Sequence, residues 1–394
     1  MKTHYYFDHN ATTPIRPEVL EAMMPFLTGQ YGNASSAHAL GQAARRALED
    51  SRSRIAALLG TEPDEIVFTG CGTESDNIAI TGSLMSAPKE KNGLVTTLVE
   101  HSAVLNTGKM LEKRGFKVVF ARVDSECRLD LDFLKRSVGR ETGLVSIMFG
   151  NNETGVIQPI REAAETAHAA GALFHTDAVQ GAGKIPIHVK EMGIDLLSMS
   201  AHKLNAPKGL GLLYIRRGIP ITPLTYGGHH EHGIRPGTEN VAGIVGFARA
   251  FELAVREMKT EGGKLSKIRD RMENSIESLI PNVRFNGRKA ERLPGTSNIS
   301  FPGVDGEALL ISMDLEGLAV STGSACTSGE VAPSHVLVAM GVDPRTATSS
   351  LRFSMGWGTT DEGVEHVLEV LPGIVNRLRG VAGGVTGECV TTNA

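Results

Sequence analysis

Several short stretches of this chain bring together residue types that could do chemistry. In LLSMSAHKLNAPKGLG, residues 196–211, an apolar run ends at Ser200, His202 and Lys203. Burial and nearby cations disfavour a lysine ammonium, and the neutral amine condenses with carbonyl compounds to form a Schiff base. In GCGTESDN, small residues open a helix at Gly72 and Thr73. Exposed N–H groups and the helix dipole there would favour an anion such as a phosphate. FHTDAVQ sets Asp177 at a strand end with Gln180 close by. A carboxylate facing a pyridine nitrogen keeps that nitrogen protonated, and the ring becomes an electron sink. VEHSAV leaves His101 just after an apolar strand, where a ring could stack on a planar group and move protons. Cys326 lies in GSACTSG, a Gly/Ser/Thr loop whose thiolate could reach into a cleft. Arg352, in SLRFSMG, could clamp a carboxylate with two hydrogen bonds. Each also has a plain structural alternative: a solvated turn lysine, a capped turn with Thr73 as N-cap, a helix-capping aspartate, a packed histidine, an incidental loop cysteine, or a salt-bridged arginine.

The elements that would position these residues alternate. Strands are expected at 66–69, at LVTTLVE, FKVVFARV, GLVSIMFGN, LFHTDAVQ and LLSMS, and again from Leu210, with amphipathic helices between them. That alternation predicts a largely parallel sheet covered on both faces. Functional groups in such sheets gather at the carboxyl ends of strands. Gly72, Thr73, His101, Asn152, Asp177, Gln180 and the run Ser200 to Lys203 all fall at those ends. One or two polar strand ends are ordinary, but one at nearly every strand is not. Earlier in the chain, a helix begins near Pro17 and ends near Gly29. A second, capped by the serines of YGNASS, runs to Leu59 with Leu40, Ala44, Ala47, Leu48, Ile55 and Leu58 on its apolar face. A long helical region spans Val241 to Ile280. A smaller α+β unit follows, with strands in TSNISF, LAVSTG and SLRFSMG and helices in EALLISMDLEG, PSHVLVAMG and the stretch from Asp361 to about Gly380.

Composition narrows the function classes. The 394 residues carry 40 basic and 44 acidic side chains, a net charge of −4, so no nucleic-acid partner is expected. Four scattered cysteines make neither a disulfide framework nor a CxxC metal site. Cys71 reads as packed in its glycine turn, Cys127 as a loop residue, and Cys389 as part of the tail. His229, His230 and His232 lie in a glycine-rich loop without the carboxylate or cysteine pattern of a metal site. MKTHYYFDHNATTP has no apolar core like that of a secretory signal, and no apolar run is long enough for a bilayer. A cytoplasmic, non-membrane enzyme is the expectation.

In order, YFDHNATTP, GCGTESDN, VEHSAV, NNETG, HTDAVQ, SAHK, APKG, GTEN, GSACTSG and LRFS run over nearly the whole chain to about Gly380. In this the sequence resembles the cysteine desulfurases of the NifS/IscS type, pyridoxal-phosphate enzymes of the class V aminotransferase family. NNETG, HTDAVQ and APKGLGLLYIRRG lean toward the nitrogenase-associated branch.

The resemblance implies an α/β fold of type I (aspartate aminotransferase-like), with a mainly parallel seven-stranded sheet in a large domain and a small α+β domain. It implies an N-terminal segment, 1–15, packed with the small domain; a large domain, 16–260; a small domain, 261–380, carrying the Cys326 loop; and a disordered tail, 381–394. It further implies that Lys203 forms the Schiff base with pyridoxal phosphate and that Gly72, Thr73, Ser200 and His202 hold the phosphate. Thr238 would reach the cofactor of a partner subunit, making a homodimer. Asp177 would pair with the pyridinium, Gln180 with the ring hydroxyl, and His101 would stack on the ring. Asn152 and Arg352 would bind the carboxylate of L-cysteine, and Cys326 would take its sulfur. No resident metal is implied, only transient contact of Cys326 with an iron–sulfur cluster on a scaffold protein that accepts the sulfur. Three positions depart from the usual pattern: Pro236 before GTEN, Asn205 after the lysine, and GEVAPSHV after the cysteine loop. None removes a catalytic residue. Another enzyme of the same fold, such as an aminotransferase or selenocysteine lyase, and a non-catalytic cluster scaffold are the competing readings.

Overall fold

The computed structural model describes residues 4–322 and 332–384. β1 (Tyr5–Tyr6) precedes α1 (Pro17–Leu27) and α2 (Ala39–Leu59). β2 (Ile66–Thr69) leads into α3 (Gly72–Asn77), which continues through a π-turn at Ile78–Gly82 into α4 (Ser83–Ser86). Then come β3 (Gly93–Thr97), α5 (Ser102–Lys113), β4 (Lys117–Ala121), α6 (Leu131–Ser137), β5 (Thr142–Ser146), α7 (Ile160–Ala169), β6 (Leu173–Asp177), β7 (Leu196–Ser200) and β8 (Gly211–Ile215). After a loop follow α8 (Val241–Leu279), β9 (Arg284–Phe285), β10 (Thr296–Ser300), α9 (Gly306–Leu315), β11 (Leu318–Ala319) and β12 (Ser321–Thr322). α10 (His335–Ala339), α11 (Pro344–Thr348), β13 (Ser350–Ser354) and α12 (Asp361–Gly384) close the described chain.

The central sheet has seven strands in the order β2-β8-β7-β6-β5-β3-β4. Its strands, apart from the edge strand β4, are short runs buried on both faces, as a sheet between two helical layers requires. Alternate residues point to opposite layers. Phe68, Val95, Val145, Phe174 and Leu197 pack against Leu48 and Ile55 of α2, Ala163 and Ala164 of α7, and Phe247 and Phe251 of α8. Val67, Leu94, Leu144, Leu196 and Leu213 pack on the other face with Ile80, Leu84, Val104 and Leu111. A second sheet, β12-β13-β10-β9, is antiparallel. Its Ile299, Leu351 and Phe353, with Phe301 just after β10, share a core with Phe7, with Ile268, Met272 and Ile276 of α8, and with Val364, Val367 and Leu371 of α12. The 39-residue α8 therefore contributes to both cores. No helix among the described residues is long and apolar enough to cross a membrane.

The central sheet is mainly parallel, as expected, with β8 alone running antiparallel to its neighbours β7 and β2. Several finer expectations need correction. α2 is capped by His38, whose Nδ1 accepts from Gly41 N at 3.2 Å, because the serines lie one turn too early. Leu40 is 41 % exposed, at the end of that helix where no neighbour covers it. Cys127 sits in a turn but is fully buried, which pushes its thiol up to about 12. Cys71, expected to be packed, is exposed as the N-cap of α3, so that Gly72 and not Thr73 opens the helix. α12 continues to Gly384, past Gly380, because no proline or cap stops the backbone ladder there.

Candidate active site

The carboxyl ends of the strands border a cavity of about 440 Å³. Asp177 ends β6 and Ser200 ends β7, which turns directly into a single 3₁₀ turn, Ala201–Lys203. Gly72 opens α3 after β2, and His101 caps α5 after β3. Asn152 follows β5, Arg352 comes from β13 of the second sheet, and Asn10 comes from the N-terminal segment. All of these residues, with Thr73, Gln180, His202 and Lys203, line the cavity. The structure thus brings together ten of the twelve residues singled out above. Thr238 lies exposed in the 226–239 loop and does not line this cavity, and Cys326 lies outside the described residues.

Lys203 Nζ donates to the carbonyls of Asn10 and Ala11, both at 2.6 Å. Burial pushes its pKa from 10.5 down to about 8, and the Arg352 guanidinium adds to this, against the pull of Asp8 and Asp177. A half-buried amine beside an arginine is the physical recipe for a nucleophilic lysine.

Asp177 is buried, and its Oδ1 accepts from Val179 N at 2.9 Å. Burial raises its pKa, while His101 and Lys203 draw it back toward the charged form. Asp76, also buried, has Oδ1 without a hydrogen-bond partner among the described residues. One ligating atom each from Asp76, Asp177 and His101 lie within 4.8 Å of one another. Burial and then Asp177 raise the pKa of Asp76 well above the carboxylate range, so this pair does not carry two full charges. His101 Nδ1 accepts from Ala103 N at 3.2 Å, which leaves Nε2 as the ring nitrogen free to donate.

The region around Gly72 has the character of an anion cradle. A Cβ on Gly72 would meet Val179 Cγ2 at 2.8 Å and Ser200 Cβ at 3.3 Å, so only glycine leaves the space open. Ser200 Oγ is buried with no hydrogen-bond partner among the described residues. His202 Nδ1 lies 3.1 Å from Thr12 Oγ1, and burial pushes its pKa to about 4, keeping the ring neutral. An orphaned hydroxyl beside the first turn of a helix is a fit for a phosphate.

On the opposite side, Arg352 Nη2 donates to Asp8 Oδ1 at 2.6 Å and Nη1 to the Asn152 carbonyl at 3.1 Å, while Nε is buried and unpartnered. Four residues of this constellation were not anticipated as site residues: Asp8, Asn10, Asp76 and Lys184. Asn10 is the hub. Its carbonyl accepts from Lys203 and Gln180, and its side chain reaches the Asn152 carbonyl, Thr296 and Lys184. Asp8 and Asn10 stand in DHNATTP and Asp76 in GTESDN, where each could have been flagged as a polar residue inside a motif. Lys184, four residues after Gln180, carried only that spacing as a signal.

This fold and site define a class, the type I α/β fold of the aspartate aminotransferase-like enzymes. The chain belongs to the class-V aminotransferase family, whose family model matches residues 5–367, and within it to the cysteine desulfurases of NifS/IscS type. It is 49% identical over 377 residues to a cysteine desulfurase of Nostoc sp., covering 96% of this chain and 94% of the relative. It is 47% identical over 382 residues to the cysteine desulfurase IscS of Dictyoglomus turgidum, 97% of each chain. A solved NifS-like protein superposes with a TM-score of 0.90 at 40% identity, over 96% of this chain and all of that one. A structure of SspA in complex with cysteine superposes at 0.78 with 34% identity, over 89% of this chain and 98% of the other. Enzymes of this family work with pyridoxal phosphate.

Proposed function

We propose that the protein is a cysteine desulfurase that converts L-cysteine to L-alanine and passes the sulfur, as a persulfide on Cys326, to an acceptor that builds iron–sulfur clusters. The observation that carries this reading is the single cavity where a lysine with a pKa near 8 faces a buried aspartate, an arginine and an anion cradle. Pyridoxal phosphate fits these residues, and when bound it supplies an electron sink for the carbon that loses its proton. Gly72, Thr73, Ser200 and His202 would hold its phosphate. Asp177 would keep the ring nitrogen protonated, Gln180 would bond the ring hydroxyl, and His101 would cover the ring face. Lys203 would hold the cofactor covalently and, when free, would be the base near the substrate's α-carbon. Arg352 and Asn152 would orient the substrate carboxylate, which fixes the Cβ–S bond relative to the cavity mouth.

The Cys326 thiolate attacks the substrate sulfur. The C–S bond breaks with its electron pair going to carbon, which takes up a proton and leaves as alanine. A thiol or other reductant then removes the outer sulfur. Thr238, exposed in its loop, would complete the site of a second copy, so the working unit is a homodimer. The test is to load the purified protein with pyridoxal phosphate, add L-cysteine with a reductant, and measure alanine and sulfide. Equal amounts of both are expected, with no visible cofactor band in Lys203→Ala and no sulfide from Cys326→Ser. A loaded protein that makes no alanine from L-cysteine overturns the reading.

A further inference from the structure

Lys184 carries a partly buried amino group that the proposed reaction leaves unused, its pKa pushed down to about 7 by burial and then by Lys203 and Arg352. It lines a second, smaller cavity of about 100 Å³ that also borders Lys203. Among the described residues it forms no ion pair. Its Nζ instead donates to Gln180 Oε1 at 2.8 Å and to Asn10 Oδ1 at 3.3 Å. Gln180, buried, uses its Nε2 to donate to the Asn10 main-chain carbonyl at 2.9 Å.

We propose that Lys184 is a positioning residue for Gln180, fixing the polarity of its amide so that an N–H and not the carbonyl oxygen faces the main cavity. The inference rests on the desulfurase reading, in which Gln180 meets the hydroxyl of the cofactor ring. The two ends of a glutamine amide are nearly the same size, so packing alone does not decide which end points where. Chemistry decides it here. Lys184 Nζ carries N–H groups to donate whether charged or neutral, and a main-chain carbonyl can only accept. Turning the amide over would set an NH₂ against the Lys184 N–H groups and an oxygen against the Asn10 oxygen. Both are like-with-like contacts in a buried place, where unmet polar groups are most costly. With Asn10 taking one Nε2 hydrogen, the second is left for the cavity that Gln180 lines. The same Asn10 carbonyl accepts from Lys203 Nζ at 2.6 Å, so the locked amide and the nucleophilic amine are referenced to one backbone atom.

The test is a double-mutant cycle on cofactor binding to the apo-protein, titrated with pyridoxal phosphate by visible absorbance. Lys184→Gln and Lys184→Met are each expected to weaken binding about tenfold, the value of one hydrogen bond to a charged acceptor. Lys184→Arg, which also can only donate, is expected to keep the wild-type constant. Gln180→Ala should weaken binding by a similar factor, and adding Lys184→Gln to it should cost nothing more. A merely structural lysine would give additive losses and would lower the apo-protein melting temperature in both backgrounds. Lys184→Gln binding within twofold of wild type, or additive losses in the double variant, overturns the proposal. If the wild-type protein takes up no cofactor, or takes it up equally well as Lys203→Ala, the desulfurase reading itself fails and this inference falls with it. Normal uptake at Lys203 with indifferent Lys184 variants sinks the inference alone.

Discussion

Substituting Arg352 separates two things that this side chain does. Its charge helps hold the Lys203 pKa near 8, second only to burial, and its planar fork is proposed to grip the substrate. At pH 7 a lysine titrating near 8 is about one-tenth neutral amine. One at 10.5 is neutral roughly 300-fold less often. The neutral fraction sets how fast the apo-protein captures pyridoxal phosphate. In Arg352→Met the cation is gone and Asp8, freed of its partner, pulls in the same direction, so the pH midpoint for capture rises. Burial remains, so the midpoint stays below 10.5. Each unit of rise slows capture at pH 7 about tenfold. Arg352→Lys keeps a positive charge and should leave the midpoint near 8. It cannot offer two parallel N–H groups, so KM for L-cysteine should rise about tenfold or more, with a smaller change in kcat. Stopped-flow absorbance across pH gives the first quantity and steady-state alanine release the second. The reasoning fails if the methionine variant keeps the wild-type midpoint, or if the lysine variant moves as far as the methionine one.

Other perturbations test the scaffold around the site. Arg52 and Glu231 form a fully buried two-bond pair at 2.8 and 2.7 Å, with Arg52 also on the Ile66 carbonyl and Glu231 on Phe68 N. This pair ties the 226–239 loop, which bears Thr238, to β2. Glu231→Ala leaves a buried unpaired guanidinium and should cost ~3–5 kcal/mol. At roughly 0.8 kcal/mol/K for a chain of this length, that is a fall of ~4–6 °C in calorimetric Tm, and an unchanged Tm would refute it. Gly72→Ala should weaken pyridoxal phosphate binding on the order of tenfold, because overpacking beside Val179 and Ser200 costs ~1–3 kcal/mol where the phosphate is expected. Unaltered affinity would move the anion site elsewhere.

The alternation of strands and helices and the polar strand ends were legible because both are local patterns. Asp177, Ser200 and Lys203 could be placed at one sheet edge from their positions after apolar runs. The direction of β8 was not read, because a five-residue apolar run has the same pattern in either sense. A signal did exist: the stretch between Ser200 and Gly211 is too short to hold the crossover that a parallel neighbour needs. Asp8, Asn10 and Lys184 were missed for a different reason. Their partners lie 4 to 344 residues away, and nothing in a neighbouring residue type reports whether a polar side chain will meet them. The caps failed similarly, since His38 and Cys71 do work that serine and threonine do more often.

The N-terminal strap has a consequence in the order of synthesis. Asp8 and Asn10 close the site by bonding Arg352 and Ser354, each across 344 residues. At the usual ~5–20 residues per second, the strap waits roughly 20–70 s on the ribosome before its seat exists. Contacts this remote in sequence are also slow to form once both ends are present. Residues made 344 positions before their partners are thus among the last to settle. A nascent chain stopped before β13 can build the parallel strands and present Lys203, yet has no Arg352 for Asp8 and no Ser354 for Asn10. Capture of the cofactor in a fully closed site therefore reports that β13 has been made and has folded against the strap.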